Sequence, residues 1–149
     1  MPRIREDWFE TEKLIQAAQA GDLPEAQRLA AQGFDVDLMD EIGRGALHYA
    51  VEAENYNFVT WLLDAGADVD LHDDDIAGDT ALCLAARHDY PELVELLLMR
   101  GADPDIPGLM QETARTRAHA RRDEEGLKIA ALIEQYKPTP PNPSVRHRK

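Results

Sequence analysis

A chain of 149 residues with 29 acidic and 16 basic side chains carries a formal charge of −13, and its length suits one domain. A hydrophobic fraction of 44% excludes wholesale disorder, and the low aromatic content leaves the core to Leu, Ala, Val and Ile. No stretch approaches the roughly 20 apolar residues of a membrane span, no apolar run follows the basic start, and the lone Cys83 has no internal disulfide partner, so a cytoplasmic protein is expected.

The charge is uneven. From Asp22 to Asp105 there are 20 acidic and 4 basic residues. Such a middle repels nucleic acid and anionic membrane and steers basic partners toward it. Acidic surface also serves solubility alone.

In chain order, the first unit, about 6–38, carries Ala17-Ala18-Gln19-Ala20-Gly21-Asp22 and ends in Gln32-Gly33-Phe34-Asp35-Val36-Asp37. The second, about 39–71, opens its helical part with Gly45-Ala46-Leu47-His48-Tyr49-Ala50. It continues through Phe58-Val59-Thr60-Trp61-Leu62-Leu63 to Ala65-Gly66-Ala67-Asp68-Val69-Asp70. The third, about 72–106, repeats that order with Thr80-Ala81-Leu82-Cys83-Leu84-Ala85-Ala86, Leu93-Val94-Glu95-Leu96-Leu97-Leu98 and Arg100-Gly101-Ala102-Asp103-Pro104-Asp105. The fourth, about 107–136, keeps Thr113-Ala114 and a more polar last helix. Gly66 and Gly101 stand where a helix must turn left-handed to stop. Thr80 is placed to cap a helix start. Residues 137–149, with Pro138, Pro140, Pro141 and Pro143 and the basic Arg146-His147-Arg148-Lys149, read as a disordered tail.

Glycines at 33, 66 and 101, each followed by an aspartate phrase, give spacings of 33 and 35 residues. Period and order together resemble the ankyrin repeat, a β-turn followed by a T-P-L-H-x-A helix and a second helix ending near Gly-Ala-Asp. The resemblance covers about residues 6–136. It implies an all-α solenoid of helix-turn-helix units with short β-hairpin fingers, in which stacking of units makes the core. The outer units act as caps, with Trp8 and Phe9 covering the exposed end of the first. The chain departs from the family pattern at Gly45, which replaces the capping threonine, and at Ala46, Ala81 and Ala114, which replace the proline.

Candidate chemistry is thin. His48 matches the family histidine that ties adjacent repeats together, and Cys83 reads as a small buried hydrophobe. The acidic stretch His72-Asp73-Asp74-Asp75 lacks the spacing of a calcium loop and reads as a lengthened finger. Neither a phosphate-binding glycine loop nor a zinc motif is visible. A non-enzyme without cofactor or metal is expected.

The resemblance further implies a protein-binding face on the fingers and first helices. Carried onto this chain, those positions are Glu41, Ile42, Arg44, Glu52 and Ala53, then Ile76, Ala77, Asp79, Arg87 and His88, then Leu109, Met110 and Glu112. Ile42, Ile76, Leu109 and Met110 are apolar where the framework does not need them, and Asp40, Glu41, Asp73, Asp74, Asp75 and Asp79 form an acidic rim. Arg115, Arg117, Arg121 and Arg122 read as a solvated last helix or a contact for an acidic partner. The expectation is an inhibitor of a basic protein, in its sharpest form an immunity protein neutralising a toxin, monomeric when free. The alternative is a cytosolic scaffold or regulatory adaptor that uses the proline-rich tail.

Overall fold

A computed structural model describes residues 8–73, 75 and 78–136, with the side chains of 8–11 left aside. The predicted covering role of Trp8 and Phe9, the disordered tail, and finger residues Asp74, Ile76 and Ala77 therefore lie outside what is described.

Among the described residues eight α-helices follow in four successive pairs. They are α1 (Trp8–Ala20) with α2 (Leu23–Ala31), α3 (Ala46–Glu52) with α4 (Tyr56–Asp64), α5 (Ala81–Arg87) with α6 (Pro91–Met99), and α7 (Ala114–Ala120) with α8 (Glu124–Gln135). The seven-residue helices are too short to persist alone, so packing rather than propensity holds them. Polar side chains mark most starts. Asp22, Asn55, Thr80, Thr113 and Asp123 each accept from the backbone N–H three residues on, at 3.1–3.2 Å. Pro91 opens α6 at a position whose N–H would be unpaired in any case.

Gly45 starts α3 without a capping side chain. Its N–H donates to His48 Nδ1 at 3.0 Å. A Cβ at this position would lie 2.8 Å from Leu71 Cδ2 and 3.3 Å from the Leu38 carbonyl oxygen, so the site is filled from the next hairpin.

Stops are equally regular. Gly33, Gly66 and Gly101 have φ of 95°, 95° and 90°. The residue after each donates back to Leu29, Leu62 and Leu97 at 3.0–3.3 Å, closing the last helical turn.

α1 packs on α3, α3 on α5 and α5 on α7, so the first helices form one continuous layer, while α6 packs on α8 behind it. Buried Ala17, Ala18, Ala50, Ala85, Ala86 and Ala118 keep that front layer tight. Leu29, Phe58, Leu62, Leu93, Leu97, Ile129 and Ile133 of the second helices fill the space behind it. Trp61 is half-buried and meets Phe58 edge-on at a centroid distance of 5.8 Å. Cys83 is buried at 1% exposure, with its thiol toward the Ile106 carbonyl.

The segments between pairs are turns rather than ribbons: among the described residues the only β pairing is the isolated bridge Met39 to Gly45. Asp68 N–H donates to Asp37 Oδ1 and Asp103 N–H to Asp70 Oδ1, both at 2.9 Å, which ties each hairpin base to the one before it.

A candidate protein-binding trough

The second finger is pinned from below. Asp40 accepts the N–H of Ile42 at 3.1 Å and of Arg44 at 3.0 Å, and Tyr49 donates its hydroxyl to the same carboxylate. Burial, reinforced by Asp40, pushes the Tyr49 hydroxyl up to about 12. The pinned turn holds Ile42 outward at 60% exposure, with Glu41 exposed beside it. Arg44 lies over the Tyr49 ring at 4.8 Å and donates to Glu52 at 2.7 Å. From the next pair His88, stacked on Tyr90 at 5.6 Å, brings its Nε2 to 3.8 Å from the same Glu52.

His48 lies under this surface and links two pairs. With Nδ1 accepting from Gly45, Nε2 carries the proton and donates to the Asp79 carbonyl at 2.8 Å. Burial pushes its imidazole below the ordinary 6.5. The linking role expected of this histidine is what the geometry shows.

Asp79 departs from the expected rim. Its side chain is only 9% exposed and turned inward, where it binds Arg117 at 3.1 Å and Arg87 at 3.3 Å and accepts the Leu109 N–H at 2.9 Å. Close packing requires glycine next door, since a Cβ on Gly108 would sit 2.1 Å from Asp79 Oδ1. The carboxylate therefore anchors the fourth finger instead of facing solvent.

Arg117 and Arg121 also differ from a solvated last helix. Arg117 is 9% exposed and held by Asp79 and, at 3.2 Å, by Glu112. Arg121 reaches back to Asp89 at the end of the preceding pair and also binds Asp123. The fourth finger above them makes a single 3₁₀ turn, Leu109–Gln111, in which Met110 and Gln111 take left-handed φ of 60° and 62°. Non-glycine residues in that region cost free energy and persist where surroundings enforce them. Leu109 and Met110 stand out from this turn at 51% and 83% exposure.

Two open hollows result. One of 240 Å³ lies between the second and third fingers against Ile42, Arg44, Asp79, Leu84 and Arg87. One of 560 Å³ lies under the fourth finger against Ala86, Asp89, Met110, Glu112, Arg117, Ala120 and Arg121. Both are lined by Arg87 and Leu109, so they form one trough along the front layer. Four arginines line it, Arg44, Arg87, Arg117 and Arg121, and each is paired: with Asp79, Asp89 and Glu112 of the lining and, for Arg44, with Glu52 beside it. The charges of the lining are thus paired, with the apolar tips Ile42, Leu109 and Met110 exposed over it. Among the described candidates, Ile42, Arg44, Asp79, Arg87, Leu109, Met110 and Glu112 line the trough, Glu52 and His88 adjoin it through Arg44, and Asp40, Glu41, Asp73 and Asp75 are not among its lining residues. Leu84, Ala86, Asp89, Arg117, Ala120 and Arg121 of the lining lie outside the predicted set, because nothing local marks a floor residue. Among the described residues no group of three or more His, Cys, Asp or Glu is placed to hold a metal ion, and no helix is long and apolar enough to cross a membrane.

Known proteins place these features in a family. A sequence model of ankyrin repeats, three copies, matches residues 14–107. The chain is 41% identical over 68 residues to putative ankyrin repeat protein L271 of Acanthamoeba polyphaga mimivirus, covering 46% of this chain and 9% of that protein. It is 36% identical over 86 residues to protein phosphatase 1 regulatory subunit 27 of Mus musculus, covering 57% and 54%. It is 30% identical over 139 residues to the E3 ubiquitin-protein ligase Ufd4 of Drosophila melanogaster, covering 89% of this chain and 5% of the ligase. The chain thus spans less than two thirds of each relative. With repeat period, helix pairs and sequence in agreement, the chain belongs to the ankyrin-repeat family, whose members typically serve as non-catalytic protein–protein interaction modules.

Proposed function

We propose that the chain holds another protein in the trough between its fingers and first helices, and that the partner presents a basic surface. The exposed apolar set Ile42, Leu109 and Met110 carries the reading. These side chains stand over a floor of paired charges, the arrangement of an interface core and its polar surround. The 20 acidic residues between Asp22 and Asp105 favour a cationic partner at long range.

The finer reading is an inhibitor that covers the working surface of a basic protein, an immunity protein neutralising a toxin being its sharpest form. It acts in the cytoplasm as a monomer, without nucleic acid or membrane. The net charge of −13 supports this version. The competing adaptor role draws its support from the proline-rich basic residues 137–149.

The test is a tagged pull-down from the native cell, comparing the parent chain with an Ile42→Asp, Met110→Asp double variant of unchanged helical content. Loss of the captured protein in the variant, with parent affinity falling as salt rises, supports the trough. Capture unaffected by the variant moves the site to the outer helices or to residues 137–149.

A further inference from the structure

We propose that Arg87 anchors the partner protein by receiving an acidic side chain from an extended segment of it, with an apolar residue on either side. This rests on the reading of the trough as a docking surface and names what the partner brings into it.

Arg87 ends α5 and lines both hollows, so it stands where they join. The other arginines of the lining have carboxylates of their own. Arg44 holds Glu52 at 2.7 Å, Arg121 holds Asp89, and Arg117 holds both Asp79 and Glu112. Arg87 is left to share Asp79, which already accepts from both terminal nitrogens of Arg117 and from the Leu109 N–H. Among the described residues that shared carboxylate, at 3.3 Å, is the one ion-pair partner of Arg87. Its side chain is 42% exposed, more than that of any other arginine in the lining. A guanidinium presents a planar fork of N–H donors that matches a carboxylate edge to edge. Arg87 thus offers the trough a cation whose own partner is already saturated.

One negative charge fits there and two do not. The remaining arginines are committed, so the second charge of a phosphate would meet Asp79, Asp89 and Glu112 without a cation of its own. The acids Asp40, Glu41, Asp73 and Asp75 stand outside the lining and act on the partner at longer range. One partner satisfies both, with an acidic residue set in a basic surface. Spacing defines its neighbours. Exposed Ile42 belongs to the second finger and Leu109 and Met110 to the fourth, with Arg87 on the helix pair between them. Packed helices lie about 10 Å apart. A polyproline-type backbone covers that distance in about three residues, which also returns the side chain to the same face. The segment therefore carries its acidic residue with an apolar residue about three positions before it and another about three after.

The probe is a fluorescein-labelled peptide with a central glutamate, a leucine three positions to either side and prolines between, titrated with the full chain by fluorescence anisotropy. The parent is expected to bind it about tenfold more tightly than its glutamine counterpart, as for a charge-assisted pair at a partly exposed site. In Arg87→Gln, with helical content checked by circular dichroism, the two peptides should bind alike. Amide shifts on adding the glutamate peptide to the parent should centre on Ile42, Leu109 and Met110. Equal affinity of the two peptides for the parent overturns the proposal, whether or not the variant folds. So does selectivity that persists in Arg87→Gln, or no binding of either peptide. Tighter binding of a phosphoserine counterpart overturns it as well, since a phosphopeptide is then the occupant. A protein captured through the trough and retained at parent strength by Arg87→Gln sinks the anchor alone. Arg87-dependent selectivity for glutamate with no protein captured through the trough sinks the proposed function and leaves the anchor standing.

Discussion

Arg117 donates to the Asp79 carboxylate at 3.1 Å across the junction of the third and fourth helix pairs, and each of the two side chains is 9% exposed. The same carboxylate accepts the Leu109 N–H, so the pair fixes the fourth finger as well as the helices. Removing one partner of the buried pair leaves the other with only a more exposed neighbour, Glu112 for Arg117 or Arg87 for Asp79. Asp79→Ala is expected to cost about 3–4 kcal/mol and Arg117→Ala about 3 kcal/mol. The double variant should cost less than their sum by about 1–3 kcal/mol. Urea unfolding of the four proteins measures this, and additive costs would show that the two do not act together.

A carboxylate of opposite character lies at the hairpin base. Burial, with Asp103 and Asp68 nearby, pushes Asp70 up from 3.8 to about 6, even though it accepts the Asp103 N–H. With the folded value raised, its contribution is complete below about pH 4 and is lost as pH rises through 6. Asp70→Asn keeps an oxygen for the Asp103 N–H and removes the buried charge. It should stabilise the protein by about 1–2 kcal/mol at pH 7.5, after discounting for partial exposure, with the gain vanishing near pH 4. Thermal melts across that range decide the matter.

His48 has the reverse sign. Burial lowers its folded value, so its contribution is present above the ordinary imidazole value of 6.5 and lost as pH falls below it. Protonation would also put a hydrogen on Nδ1, which now accepts from Gly45. His48→Gln is expected to lose about 2 kcal/mol at pH 7.5 and to show a flatter stability profile between pH 5 and 7. A variant whose profile keeps the parent slope would place the acid sensitivity elsewhere.

The turn inside each of the first three helix pairs contains one left-handed residue: Gly21, Glu54 and Asp89, with φ of 68°, 54° and 63°. Only glycine takes this conformation freely. Exposed Glu54 is therefore a correctable position, and Glu54→Gly should raise stability by about 0.5–1 kcal/mol. Asp89→Gly should gain nothing, because it forfeits the pairing with Arg121. Equal effects at the two sites would contradict this account.

The repeat itself was legible in the sequence because its signals are local. A glycine that must turn left-handed, as at Gly33, Gly66 and Gly101, and a polar side chain that must cap, as at Thr80 and Thr113, depend on backbone geometry within a few residues. The small and large apolar positions of each helix pair follow from the same short-range order, as does the burial of Cys83 and His48. The direction in which charged residues point did not follow. Asp79 read as a rim acid and Arg117 as a solvated base, but they lie 38 positions apart and meet only when the third and fourth pairs stack. Long flexible charged side chains take their partners from whatever packing brings near, and desolvation then forces them to pair. Stacking likewise brought His88 to Glu52 and put Arg121 on Asp89. Composition and period thus determined a solenoid of helix pairs with an acidic middle, because turns, caps and burial patterns are written residue by residue. Only the tertiary structure decided that the surface between its fingers is a trough of paired charges, because ion pairs between repeats exist only once the repeats have packed.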